Sequence, residues 1–136
     1  MKNYKLLTPG PLTTTASVKQ EMLFDHCTWD DDYKKITQKI RKQLLELAHV
    51  NDDEYTVVLM QGSGTFGVES VLTSVVGENE KLLIIANGAY GQRMANICQH
   101  AKVNYEVIEF AENENPSAKV IAEKLNEDVA ITHVAM

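Results

Sequence analysis

The sequence predicts an α/β domain built on a mostly parallel sheet with flanking helices, preceded by an extended N-terminal arm. Three observations carry this. From Thr56 onward, apolar runs of strand length alternate with stretches whose apolar residues recur at three- and four-residue steps. A glycine-rich turn, Gln61-Gly62-Ser63-Gly64-Thr65, joins the first such strand to the first such helix. Upstream, Thr8-Pro9-Gly10-Pro11-Leu12 runs into three threonines, too rich in proline and hydroxyls for regular structure.

The elements follow in chain order. Residues 1–15 read as the arm, and Val18 to Phe24 as a short helix, since Val18, Met22 and Leu23 share a face. Asp30-Asp31-Asp32 then precede an amphipathic helix with Tyr33, Ile36, Ile40, Leu44 and Leu47 on one stripe. Acids at a helix N-terminus complement its dipole, so capping explains the triplet better than a metal site without other ligands nearby. Val57 to Met60 suit a buried strand, and Val68, Val71, Leu72 and Val75 the inner face of the next helix. Leu82 to Ala86 is a second strand, and Met94, Ile97, Cys98 and Ala101 mark a helix. Val103, Tyr105 and Val107 alternate as a third strand. Asn115-Pro116-Ser117 opens a further helix with Ala118, Ile121, Ala122 and Leu125 inward, and Val129 to Ala135 is a last strand. The chain stops at Met136, at or just after that strand and without a covering helix, which reads as a truncation. The division expected is an arm and short helix over 1–32 and an incomplete α/β domain over 33–136.

Composition removes several function classes. The chain has 136 residues, a formal net charge of −6 and 44% hydrophobic residues, as an ordinary globular domain does. That charge argues against nucleic acid as a partner, which needs clustered Lys and Arg. No apolar run approaches the roughly 20 residues that span a bilayer, and the N-terminus lacks a secretory core, so a cytoplasmic location is expected. Cys27 and Cys98 belong to no C-x-x-C pair and read as reduced core or near-core thiols. His26, His49, His100 and His133 are scattered without ligand spacing.

The turn at 61–65 carries the chemistry. Glycines let the backbone approach a ligand, and a helix starting there aims free N–H groups and its positive dipole end at whatever lies above. Ser63 and Thr65 add hydroxyl donors, so a phosphate is the natural guest. Gly62, Gly64 and Gly67 also spell G-x-G-x-x-G, yet the next strand ends in Asn87-Gly88 without the acid a dinucleotide site wants, and no Gly-Lys-Ser/Thr follows. A smaller phosphate-bearing cofactor or metabolite is left, alongside the plainer reading of an N-cap and tight turn.

LLTPGPLTTT at 6–15, CTWDDDY at 27–33, VVLMQGSGTFGVES at 57–70 and ANGAYGQRM at 86–94 together resemble the N-terminal part of the 2-aminoethylphosphonate:pyruvate transaminases. These are fold-type I, class V aminotransferases dependent on pyridoxal 5′-phosphate. The resemblance implies a partial large domain of that fold, with Ser63, Gly64 and Thr65 on the cofactor phosphate and Tyr90 stacked on the pyridine ring. It implies Thr8, Gly10 and Trp29 on the substrate side. It further implies transfer of the amino group of 2-aminoethylphosphonate to pyruvate, giving phosphonoacetaldehyde and L-alanine, by a homodimeric whole enzyme. The family's Schiff-base lysine, the aspartate facing the ring nitrogen and the substrate-binding arginine have no counterpart motif up to Met136, so these residues alone are expected to be inactive. A noncatalytic phosphate-binding module, or a class V transaminase for another donor such as alanine:glyoxylate or serine:pyruvate, is the alternative.

Overall fold

A computed structural model describes residues 4–8, 10 and 12–136. They divide into two compact units, Met1–Leu59 and Met60–Met136.

In the first unit, the arm carries a single antiparallel bridge between Leu7 and Leu12, beside which Leu6 N–H donates to Thr13 Oγ1 at 2.6 Å. Pro9 and Pro11 of the expected arm lie outside the described residues. α1 (Ala16–Glu21) is shorter than the expected helix and stops before Met22. α2 (Asp31–Leu47) starts as the acids predict: Asp30 is its N-cap, with Oδ1 accepting from Asp32 N–H at 3.3 Å. Asp31 and Asp32 pair with Lys34 and Lys35 at 3.1 and 3.0 Å. Its apolar stripe is present but exposed, from Leu44 at 39% to Leu47 at 76%.

The expected strand over Val57 to Met60 is absent; residues 56–61 take no regular structure. A strand exists only through hydrogen bonds to a neighbour, and among the described residues none pairs with 56–61 in a ladder. Val58 is 72% exposed as a result.

The second unit holds α3 (Gly64–Val75), β1 (Lys81–Ala86), α4 (Ala89–Ala101), β2 (Tyr105–Glu109), α5 (Ala118–Glu127) and β3 (Ile131–Ala135). The sheet is parallel throughout, ordered β2-β1-β3. β1 pairs Leu82 with Tyr105 on one side and with His133 on the other. The two crossovers run in opposite directions along the sheet, and with the usual right-handed hand that sets α4 and α5 on opposite faces. β1 is therefore apolar at successive positions: Leu82 to Ala86 are all buried. Leu82, Ile84 and Ala86 join Leu72 of α3 and Ala95 and Cys98 of α4 in the core cluster, while Leu83 and Ile85 are buried on the alternate face.

The helix faces differ in part from expectation. Only Leu72 of the α3 set is buried; Val68, Val71 and Val75 stay exposed. On α4 the buried residues are Gly91, Ala95 and Cys98. α5 is capped by Ser117, whose Oγ accepts from Val120 N–H at 3.4 Å, with Pro116 just before the cap. Of its expected inner residues, Ile121 alone is half-buried. Cys98 lies in the core as expected, but Cys27 is exposed, being in a short turn before α2 that no element covers.

Candidate functional site

The start of α3 is built for close approach. Gly62 sits at φ 156°, where side chains are strained, and a Cβ there would stand 2.5 Å from Phe66 Cδ1. Ser63 is the N-cap: Oγ accepts from Phe66 N–H at 3.3 Å, and its carbonyl accepts from Gly67 N–H at 3.0 Å. This satisfies one orphan donor of the first turn and leaves the N–H groups of Gly64 and Thr65 without an acceptor inside the helix. The space over Gly64 is open, since a Cβ there would meet nothing within 4 Å.

α4 begins at the carboxyl end of β1 and brings a second set of groups. Gly88 turns the chain at φ 158°, and its carbonyl accepts from Gln92 N–H at 3.2 Å. Glu112, beyond β2, flanks it: a Cβ on Gly88 would lie 3.7 Å from Glu112 Cγ. Tyr90 is 72% exposed. Arg93, one turn on, joins the two helices: Nη1 donates to Thr65 Oγ1 at 3.1 Å, and the guanidinium carbon lies 5.7 Å from the centre of the Tyr90 ring.

Both hydroxyls of the elbow keep a proton to give. Ser63 Oγ accepts from Phe66 and Thr65 Oγ1 accepts from Arg93, so each O–H is left to donate elsewhere. Two backbone N–H groups, two hydroxyls and a helix dipole thus stand at the start of α3, with a guanidinium bonded to one of the hydroxyls. A phosphate monoester, which is dianionic and rich in acceptors, fits that donor set.

Ser63, Gly64, Thr65 and Tyr90 lie in the second unit, linked through Arg93. Thr8, Gly10 and Trp29 lie in the first, where Trp29 is 82% exposed with the Lys34 ammonium 5.8 Å from its ring centre. Sequence reasoning did not single out Arg93. Its place three residues after Tyr90, on the same helix face, is the signal that could have found it.

At the opposite end of the sheet a charge network closes the strands' amino ends. Lys81 pairs with Asp128 and reaches Glu106 at 3.8 Å, and Lys124 pairs with Glu106. The Lys81 hydrogen bond, helped by Ala130 N–H, holds the Asp128 carboxyl below its usual range, and the Glu106 hydrogen bond raises the Lys124 ammonium. Burial pushes the Cys98 thiol up. Among the described residues no group of three His, Cys, Asp or Glu is placed to hold a metal ion, and no helix is long and apolar enough to cross a membrane.

No protein-family profile matches the chain. It is 59% identical over 136 residues to the 2-aminoethylphosphonate–pyruvate transaminase of Lysinibacillus sphaericus, covering 100% of this chain and 37% of that protein. It is 52% identical over 136 residues to the Klebsiella pneumoniae transaminase of the same name, covering 99% of this chain and 37% of that one. A bifunctional phosphonoacetaldehyde hydrolase/aminoethylphosphonate transaminase of Clostridioides difficile is 48% identical over 134 residues, covering 98% of this chain and 21% of that protein. The chain thus spans little more than a third of the length of the first two. In structure it resembles the pyridoxamine–pyruvate aminotransferase of Mesorhizobium loti, with a TM-score of 0.80 at 20% identity over 96% of this chain and 33% of that one. It also resembles the ureidoglycine–glyoxylate aminotransferase of Bacillus subtilis, with a TM-score of 0.81 at 20% identity over 93% of this chain and 33% of that one. The fold is that of a part of these aminotransferases.

Proposed function

We propose, for a chain similar over its whole length to 2-aminoethylphosphonate–pyruvate transaminases, that the protein carrying it moves the amino group of 2-aminoethylphosphonate to pyruvate. The products are phosphonoacetaldehyde and L-alanine. The observation that supports this most is 59% identity across all 136 residues to a transaminase of that name. The donor set at the start of α3 supports pyridoxal 5′-phosphate as the cofactor. When bound, that group supplies the electron sink for proton removal next to nitrogen.

This chain's own contribution is to hold and orient. The N–H groups of Gly64 and Thr65 and the hydroxyls of Ser63 and Thr65 take the phosphate end, fixing the cofactor at one point. Tyr90, at the carboxyl end of β1, offers an aromatic face against which a flat ring is held. Two such anchors set both position and plane, and proton transfer depends on that alignment. Thr8, Gly10 and Trp29 are assigned to the substrate side, the whole protein to a homodimer, and its location to the cytoplasm.

The test is a donor comparison with the full-length protein loaded with pyridoxal 5′-phosphate. Alanine should form from pyruvate with 2-aminoethylphosphonate at a kcat/KM well above that with serine, and glyoxylate should accept poorly from alanine. Preference for either of those donors would move the protein to another branch of the class V transaminases.

A further inference from the structure

We infer that Arg93 is a positioning residue that couples the phosphate anchor to the ring anchor, an inference that rests on the cofactor reading above. Arg93 touches both candidate anchors and belongs to neither. Its Nη1 donates to Thr65 Oγ1 at 3.1 Å, and its guanidinium faces the Tyr90 ring at 5.7 Å.

The first contact does more than hold a side chain. A threonine hydroxyl left alone rotates among its staggered positions and gives its proton to whatever acceptor is nearest. With a lone pair taken by Arg93, Thr65 keeps its proton for an outside acceptor, and the cation polarises that O–H further. The second contact acts on a residue that is otherwise free to move, because Tyr90 is 72% exposed. A planar guanidinium against one side of its ring fixes the ring's tilt, as a flexible ammonium does not. Arg93 stands on α4 with Tyr90 and reaches across to Thr65 on α3, so one side chain sets the distance between the two anchors. Its charge also offsets the desolvation of a dianion near the otherwise acidic chain, whose formal net charge is −6.

The experiment uses the full-length protein stripped of cofactor, with pyridoxal 5′-phosphate as probe. Affinity is read by titration, and ring fixation by the visible circular dichroism of the bound cofactor. Arg93→Met should weaken affinity about tenfold or more and diminish the dichroic band at saturation, whereas Ser63→Ala should weaken affinity and keep the band. Arg93→Lys should recover part of the affinity but not the band. In a Thr65→Val background, Arg93→Met should weaken affinity by much less than it does in the wild type.

Loss of affinity in Ser63→Ala and Thr65→Ala, with affinity and band both intact in Arg93→Met, overturns the inference and leaves the cofactor site standing. Unchanged affinity in Ser63→Ala and Thr65→Ala overturns the site itself. Full recovery of the band by Arg93→Lys, or full additivity with Thr65→Val, reduces Arg93 to a general charge and also overturns the inference. Should Arg93→Met lose its far-ultraviolet dichroism, Arg93→Gln and Arg93→Lys are judged by the same criteria.

Discussion

Gly91 lies against Ala86 so closely that a Cβ at position 91 would stand 2.6 Å from both the Cα and the Cβ of Ala86. The last residue of β1 and the first turn of α4 therefore share a space that admits no methyl group. Gly91→Ala should destabilise the fold by about 1–3 kcal/mol through overpacking, although alanine favours helices. Urea denaturation of the full-length protein measures this; a stability equal to or above wild type would show that the helix shifts freely.

The open space over Gly64 gives the opposite expectation for that glycine. A Cβ at position 64 would meet nothing within 4 Å, so Gly64→Val should fold normally and fail to retain pyridoxal 5′-phosphate, the branched side chain occupying the approach. Thr65→Ala should weaken cofactor binding by about 1.5–3 kcal/mol, the range for a hydrogen bond to a charged group. Cofactor content after dialysis checks the first, and a binding titration the second.

The two thiols should separate cleanly. Cys27 is exposed, whereas Cys98 is fully buried and its thiol is raised by that burial, so little thiolate forms there. A chromogenic disulfide reagent should modify Cys27 quickly in the native protein and reach Cys98 only on unfolding. Equal rates would place Cys98 outside the core.

Acid should weaken the Asp128 pair. A carboxyl held below its unfolded value contributes stability that is complete above the ordinary carboxylate range and is lost as pH falls through the depressed folded value. The stability difference between wild type and Asp128→Asn should therefore be present near neutrality and shrink as pH falls below the ordinary carboxylate range. Lys124 has the opposite sign: its raised ammonium stabilises below the ordinary lysine value, and that contribution fades as pH rises through the higher folded one. A difference in denaturant midpoint between wild type and Asp128→Asn that stays the same from neutral to acid pH would refute the Asp128 part.

Residues 1–136 expressed alone should show no transamination. The relatives that match the chain are far longer, with 37% of the Lysinibacillus protein covered, and the resemblance implies a Schiff-base lysine motif that residues 1–136 do not contain. Pyruvate-dependent turnover of 2-aminoethylphosphonate by that polypeptide would contradict this.

The alternation from β1 to β3 was legible because each element carries its own period: Leu82 to Ala86 as a continuous apolar run, Met94 and Cys98 at helical spacing, Tyr105 and Val107 by alternation. Two N-caps were legible too, since Asp30 and Ser63 act within three residues of themselves; α5 instead starts after its cap Ser117, leaving Pro116 outside the first turn where it was expected. Val57 to Met60 misled because composition states that a segment suits a strand but not whether a partner strand pairs with it. The apolar positions on α2 and α3 likewise mark a face without telling what covers it. Arg93 escaped for a related reason: its meeting with Thr65 depends on how α3 packs on α4, a relation between distant residues that no local pattern records.

The order β2-β1-β3 also carries a consequence for assembly. The strand made first is the one in the middle, so later strands add to an existing template on either side. Leu82 meets Tyr105 well before His133, which is more than twice as far along the chain, and each doubling of a closed loop costs about 0.6 kcal/mol. On loop closure alone, β1 and β2 are then expected to pair before β3 joins. A chain emerging from the ribosome can build this sheet in the order it is translated, whereas a circular permutant that placed β1 last would leave β2 and β3 waiting without a template.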